Sequence, residues 1–86
     1  METPAVVMYT TSWCPYCDRA RHLLSRKNVA FSEIDVESSP DKRAEMQQRS
    51  GRRTVPQIFI GDQHVGGSDD LRALEDAGKL DALLGR

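Results

Sequence analysis

Apolar positions in this chain come in short bursts whose period changes along the sequence. "AVVMYT", Ala5 to Thr10, is continuous, apolar and rich in β-formers, and reads as a buried strand. From Cys14 to about Lys27 the period lengthens. Cys17, Ala20, Leu23 or Leu24, and Lys27 fall on helical spacing, while Asp18, Arg19, Arg21 and Arg26 point elsewhere. Pro15 suits the first turn of that helix, where its missing N–H costs nothing, and Asn28 stands where a C-cap belongs. Val29 to Glu37, "VAFSEIDVE", alternates and predicts a second strand. "SSPDKRAEMQQRSG" follows with helix signals at both ends: Ser39 as N-cap, Pro40 at the first position and Gly51 as the stop. Its apolar face is thin, consisting of Ala44 and Met46.

Pro56 to Gly61, "PQIFIG", predicts a third strand, Gly61 to Gln63 a turn, and His64 to Gly67 a short fourth strand paired with the third as a hairpin. Ser68 to Asp70 then open a helix with Leu71, Leu74 and Ala77 on its apolar face. Ser68 and the acids are what a helix N-terminus favours, and Gly78 ends the helix. Leu80, Leu83 and Leu84 suggest a last helical turn. The order β-α-β-α-β-β-α predicts an α/β fold. Two βα units call for parallel strands joined by right-handed crossovers, and the hairpin adds antiparallel strands. The expected product is a four-stranded mixed sheet with helices on both faces.

Length and charge narrow the function. The 86 residues allow one domain, spanning 1–86, with a small core. A formal net charge of -1, with no basic or acidic block, argues against nucleic acid as the main partner. No apolar run approaches the roughly 20 residues of a membrane span. "METPAVVMYT" lacks the basic and apolar regions of a secretory signal, so the expected location is cytoplasmic. Structural disulfides are rare there, and a close cysteine pair is usually catalytic or metal-binding.

The pair is Cys14 and Cys17, in "CPYC", at the junction of the first strand and first helix. A structural staple between them would enclose almost no loop and add little stability. Zinc needs four ligands, and only His22 and His64 remain as soft candidates. Redox chemistry suits the placement better, because a helix N-terminus offers free amides and a favourable dipole to a thiolate. A free cysteine with a pKa of about 8.5 is only about 3% thiolate at pH 7, and a pKa near 5 makes it almost wholly thiolate. Cys14, just before the first turn, receives this help. Cys17, one turn in, is expected to be more buried and less activated, so Cys14 attacks and Cys17 resolves.

Three further stretches outline a ligand. "TVP", Thr54 to Pro56, precedes a strand, and a cis peptide before Pro56 would turn the Val55 main chain outward to pair with an extended peptide. In "GGSDD", Gly66 to Asp70, glycines permit close approach, the helix start offers amides to a carboxylate, and Asp69 or Asp70 can meet an ammonium. "RSGRRT" supplies Arg49, Arg52 and Arg53, and arginine holds carboxylates well. The inventory is a short peptide with two carboxylates, one ammonium and a central thiol, which is that of glutathione.

"CPYC", "TVPQIFI" and "GGSDD", in this order and spacing, resemble a dithiol glutaredoxin of the small bacterial type, with the thioredoxin-like fold, from Val6 to Leu84. The resemblance implies a glutathione-dependent thiol–disulfide oxidoreductase acting on protein disulfides and protein–glutathione mixed disulfides. It also implies glutathione as co-substrate, with glutathione reductase acting through that glutathione and no metal expected, and a monomer is the expected state. It implies Cys14 as nucleophile and Cys17 as resolving thiol, with Tyr16 flanking glutathione and Val55 pairing through its backbone beside a cis Pro56. By the same resemblance, Arg52 and Thr54 would lie near the glycyl carboxylate, and Gly67, Ser68, Asp69 and Asp70 would surround the γ-glutamyl end. Two positions depart from the family pattern. Thr11 stands where members often carry lysine, shifting the task of balancing anionic charge to the helix end and to Arg52 or Arg53, and Ser68 replaces a cysteine that many members have. Two rivals remain: a redoxin reduced by thioredoxin reductase, and a binding protein holding an iron–sulfur cluster between two subunits.

Overall fold

The computed structural model describes residues 4–85. In chain order the elements are β1 (Val6–Thr10), α1 (Pro15–Arg26), β2 (Ser32–Asp35), α2 (Pro40–Ser50), β3 (Gln57–Ile60), β4 (Gln63–Gly66), α3 (Ser68–Asp76) and α4 (Leu80–Leu83). The sheet is four-stranded with order β2-β1-β3-β4. β1 runs parallel to β2, whereas β1–β3 and β3–β4 are antiparallel. No helix among the described residues is long and apolar enough to cross a membrane.

Alternation along the central strands divides the core in two, since successive side chains leave opposite faces of a sheet. Val6, Met8, Ile58 and Ile60 face α1, α3 and α4, where they pack with Ala20, Leu23, Leu24, Leu71, Leu80 and Leu84. Tyr9 and Phe59 face α2 and pack with Val36 and Met46. Helices therefore cover both faces, as the element order predicts.

Local signals account for most helix boundaries. Ser39 caps α2, its hydroxyl accepting from the Lys42 amide, Pro40 follows, and Gly51 closes the helix in the left-handed region at φ 70°. α1 ends through Asn28, also left-handed at φ 57°, with the Asn28 and Val29 amides donating to the Ser25 and Leu24 carbonyls. That turn explains why β2 begins at Ser32 and not at Val29. Residues 29–31 lead the chain back from the helix end, and Val29 and Phe31 pack against the core without joining the ladder.

Other predicted boundaries shift as well. The fourth strand starts at Gln63 and ends at Gly66, after a turn at Gly61 and Asp62. α3 takes Gly67, not Ser68, as its N-cap, because the Asp70 carboxylate reaches back to accept from the Gly67 amide at 2.9 Å. Ser68 is the first helical residue.

The thin apolar face of α2 is reinforced by polar contacts. Met46 is fully buried and Ala44 is exposed. The Tyr9 hydroxyl donates to Glu45 at 2.6 Å and accepts from Arg49 at 2.8 Å, while the Arg49 guanidinium lies 4.1 Å from the Phe59 ring centroid. Arg49, expected near the ligand mouth, thus anchors α2 to the sheet.

Candidate active site

Cys14 is the N-cap of α1, in extended backbone conformation, and Pro15 occupies the first helical position. The Cys17 amide donates to Cys14 Sγ at 3.1 Å, and the Asp18 amide to the Cys14 carbonyl at 3.0 Å. The two cysteines form a disulfide with a Cα–Cα distance of 5.1 Å. Cys14 retains 8% exposure and Cys17 none, so an incoming sulfur can reach only Cys14 without displacing the core. When the bridge opens, the amide already facing Cys14 Sγ and the N-terminal dipole favour the thiolate. Trp13, just before the motif, and Tyr16, within it, stand exposed at 83% and 53%.

Opposite the cysteines runs the segment before β3. The Val55–Pro56 peptide is cis, and the Val55 carbonyl oxygen lies 3.9 Å from Cys14 Sγ. Tyr16, Arg52, Thr54, Val55, Pro56, Gly67, Ser68, Asp69 and Asp70 line one groove of about 290 Å³ beside this contact. That volume is at the lower end of small-molecule sites, which span about 300–1,000 Å³. Arg53 lies outside this lining. Gly66, just before this wall, is buried at φ 117°, and a Cβ there would collide with the Asp70 carboxylate.

Asp70 ties the two walls together. Its Oδ2 accepts from the Gly67 amide and from Arg52 Nη1, each at 2.9 Å. These contacts, the amide first and the guanidinium second, hold its carboxyl below the usual carboxylate range. Arg52 is thereby oriented over the groove even though its side chain is half exposed.

Behind the wall lies a support that residue-type reasoning did not find. Gln57 is fully buried, and its amide donates to the Thr54 carbonyl and hydroxyl at 3.0 and 3.2 Å. Its other end meets His64 Nε2 at 2.7 Å, and His64 packs on Phe59 with ring centroids 4.9 Å apart. Burial, with Arg52 adding to it, pushes the His64 pKa down and favours the neutral ring. A glutamine at the first position of a buried strand was the available signal. The two histidines do not converge on the cysteines: His64 serves this support, and His22 sits exposed on α1.

Comparison with known proteins agrees with the geometry. The glutaredoxin family model matches residues 6–65. A glutaredoxin of Pseudomonas aeruginosa is 63% identical over 81 residues, covering 94% of this chain and 96% of the relative. The solution structure of a glutaredoxin from Brucella melitensis superposes with a TM-score of 0.86 at 61% identity, covering 98% of this chain and 91% of that one. A buckwheat glutaredoxin–glutathione complex gives a TM-score of 0.86 at 31% identity, covering 96% and 77%. The chain belongs to the glutaredoxin family, has its thioredoxin-like fold, and is a glutathione-dependent thiol–disulfide oxidoreductase.

Proposed function

We propose that Cys14 is the nucleophile of this glutaredoxin, that Cys17 resolves, and that the groove beside them holds glutathione. The observation that carries the assignment is the asymmetry of the pair: Cys14 is the partly accessible N-cap and accepts from the Cys17 amide at 3.1 Å, whereas Cys17 is fully buried. The Cys14 thiolate attacks one sulfur of a substrate disulfide. A bond forms between Cys14 and that sulfur, the substrate disulfide breaks, and the other sulfur leaves as a thiolate that takes a proton. With a protein disulfide, the Cys17 thiolate then attacks Cys14 Sγ, which releases the reduced protein and closes the Cys14–Cys17 bridge.

Two glutathione molecules reopen the bridge. The first attacks Cys14 Sγ, freeing Cys17 as a thiol. The second attacks the glutathione sulfur of that mixed disulfide, releasing glutathione disulfide and the Cys14 thiolate. With a protein–glutathione mixed disulfide, Cys14 takes the glutathionyl group directly and only this last step follows.

The groove suits the ligand's chemistry. The main chain of Val55, beside the cis Pro56, offers strand-like pairing to the cysteinyl residue. Arg52 and Thr54 supply donors for the glycyl carboxylate. The start of α3, at Gly67 and Ser68, offers amides to the γ-glutamyl carboxylate, with Asp69 and Asp70 close by for its ammonium. Tyr16 flanks the bound peptide. Protein disulfides and glutathionylated proteins are the macromolecular substrates, and the working unit is a monomer in the cytoplasm.

The test is glutathione-dependent reduction of a small glutathione mixed disulfide and of a protein disulfide, coupled to glutathione reductase. Cys14→Ser abolishes both activities. Cys17→Ser retains the first and loses dithiol turnover of the second. Retained activity in Cys14→Ser would sink the assignment, and activity with thioredoxin reductase but not with glutathione would transfer it to a different reductant.

A further inference from the structure

A second groove, of about 420 Å³, runs between α1 and α3. Arg19, His22 and Arg26 line it from one side and Ser68, Asp69 and Arg72 from the other, above a floor that includes the buried Leu23. Ser68 and Asp69 also line the glutathione groove, so the two depressions share a wall. Residues 19, 22 and 26 follow helical spacing and form one stripe leading away from the cysteines.

The charges along this groove do not cancel. Among the described residues, neither Arg19 nor Arg26 lies within ion-pair distance of a carboxylate. Arg19 instead places its guanidinium 5.0 Å from the Tyr16 ring centroid. Among the described residues, Arg72 pairs with Asp76 alone, at 3.2 Å, in a pair about two-thirds exposed. Of the acids on the lining, Asp18 is engaged by Arg21. Asp69 stands at the shared wall, where the assignment above gives it the ammonium of glutathione. The chain as a whole carries a formal charge of -1, so the positive strip is local.

We propose that this groove docks an acidic segment, rich in Asp or Glu, of the protein whose disulfide or mixed disulfide is being reduced. The inference rests on the assignment of the neighbouring groove to glutathione. An extended chain leaving Cys14 passes Tyr16 and Arg19 and lies along the stripe. Its aliphatic stems cover Leu23, and its carboxylates meet Arg26 and Arg72. Partner selection thus comes from charge outside the reacting centre, where it acts on encounter and orientation more than on chemistry.

The experiment compares peptides that carry one glutathionylated cysteine and differ only in a flanking run of Glu, Gln or Lys, together with a small neutral mixed disulfide of glutathione. At low salt, the wild type reduces the Glu peptide with a kcat/KM about fivefold above that for the Gln peptide, the scale of two exposed ion pairs. The ratio falls as salt rises. Arg26→Ala combined with Arg72→Ala brings it to about one, Arg26→Lys combined with Arg72→Lys keeps most of it, and turnover of the small disulfide is unchanged in both. Equal rates on the Glu and Gln peptides in wild type, or a preference that survives in the alanine pair, would overturn the proposal. So would a parallel loss on the small disulfide, which would put the arginines in the shared chemistry. Stronger inhibition by a single-stranded oligonucleotide than by a free poly-Glu peptide would reassign the groove to nucleic acid. Failure of wild type to reduce the small disulfide with glutathione is a separate result, and it would remove the glutathione assignment itself.

Discussion

Removing the Asp70 side chain should loosen both walls of the groove beside Cys14 at once. Its carboxylate accepts from the Gly67 amide and from Arg52 Nη1, each at 2.9 Å. Loss of a helix-cap acceptor costs about 1 kcal/mol. The ion pair adds a few tenths, discounted because both side chains are about half exposed, at 48% and 47%. Asp70→Ala therefore destabilises by about 1–2 kcal/mol, and at about 4–8 °C per kcal/mol for a domain of this size, Tm falls by about 4–16 °C. Asp70→Asn keeps an oxygen for the Gly67 amide and loses the charge, so its Tm falls by only about 2–4 °C. Both variants release Arg52, and KM for glutathione rises about two- to fivefold with little change in kcat.

The pH dependence has a definite sign. The native contacts depress the Asp70 pKa, the Gly67 amide first and Arg52 second. A depressed carboxylate contributes stability that is complete above its unfolded pKa, about 3.9, and is lost as pH falls through the lower native value. The gap in Tm between wild type and Asp70→Asn is thus full near neutrality and closes in acid. Thermal unfolding followed by circular dichroism from neutral to strongly acidic pH measures it. An Asp70→Ala protein with a Tm within about 1 °C of wild type, or a gap that widens in acid, would refute the reasoning.

Three other perturbations have outcomes that can be read the same way. Gly66→Ala forces a side chain into φ 117° and against the Asp70 carboxylate, costing about 1–3 kcal/mol in urea unfolding and raising KM for glutathione. Gln57→Leu leaves the Thr54 carbonyl and His64 without their buried partner, and lowers stability by about 1–3 kcal/mol; unchanged urea midpoints would show the support to be idle. Met46→Ala empties the one buried position of α2 at a cost of about 2–5 kcal/mol, with turnover per folded molecule retained.

Short-range rules reach far in this chain. Ser39, Pro40 and Gly51 delimit α2 because caps depend on a few adjacent backbone groups, and the placement of Cys14 before the first turn of α1 follows from the same local logic. The structure gathers Thr54–Pro56 and, from the glycine motif, Gly67–Asp70 into one groove. Local rules fail where a residue's partner is distant in sequence. Ser68 reads as a cap until the Asp70–Gly67 contact transfers that role to Gly67, and Arg49 reads as a ligand group until Tyr9 and Phe59 take it.

The sequence by itself determined the element order, the redox pair with its unequal environments, and the glutaredoxin motifs. All of these depend on spacing along one stretch of chain. Only the tertiary structure decided the strand order β2-β1-β3-β4, which brings the Val55 carbonyl to 3.9 Å from Cys14 Sγ across a separation of 41 residues. It also decided that Gln57 would be buried between Thr54 and His64, and that α1 and α3 would lie close enough to frame a groove rimmed by arginines. The reason is that such contacts follow from how faces pack, and the period of one segment specifies which face is apolar without specifying what meets it.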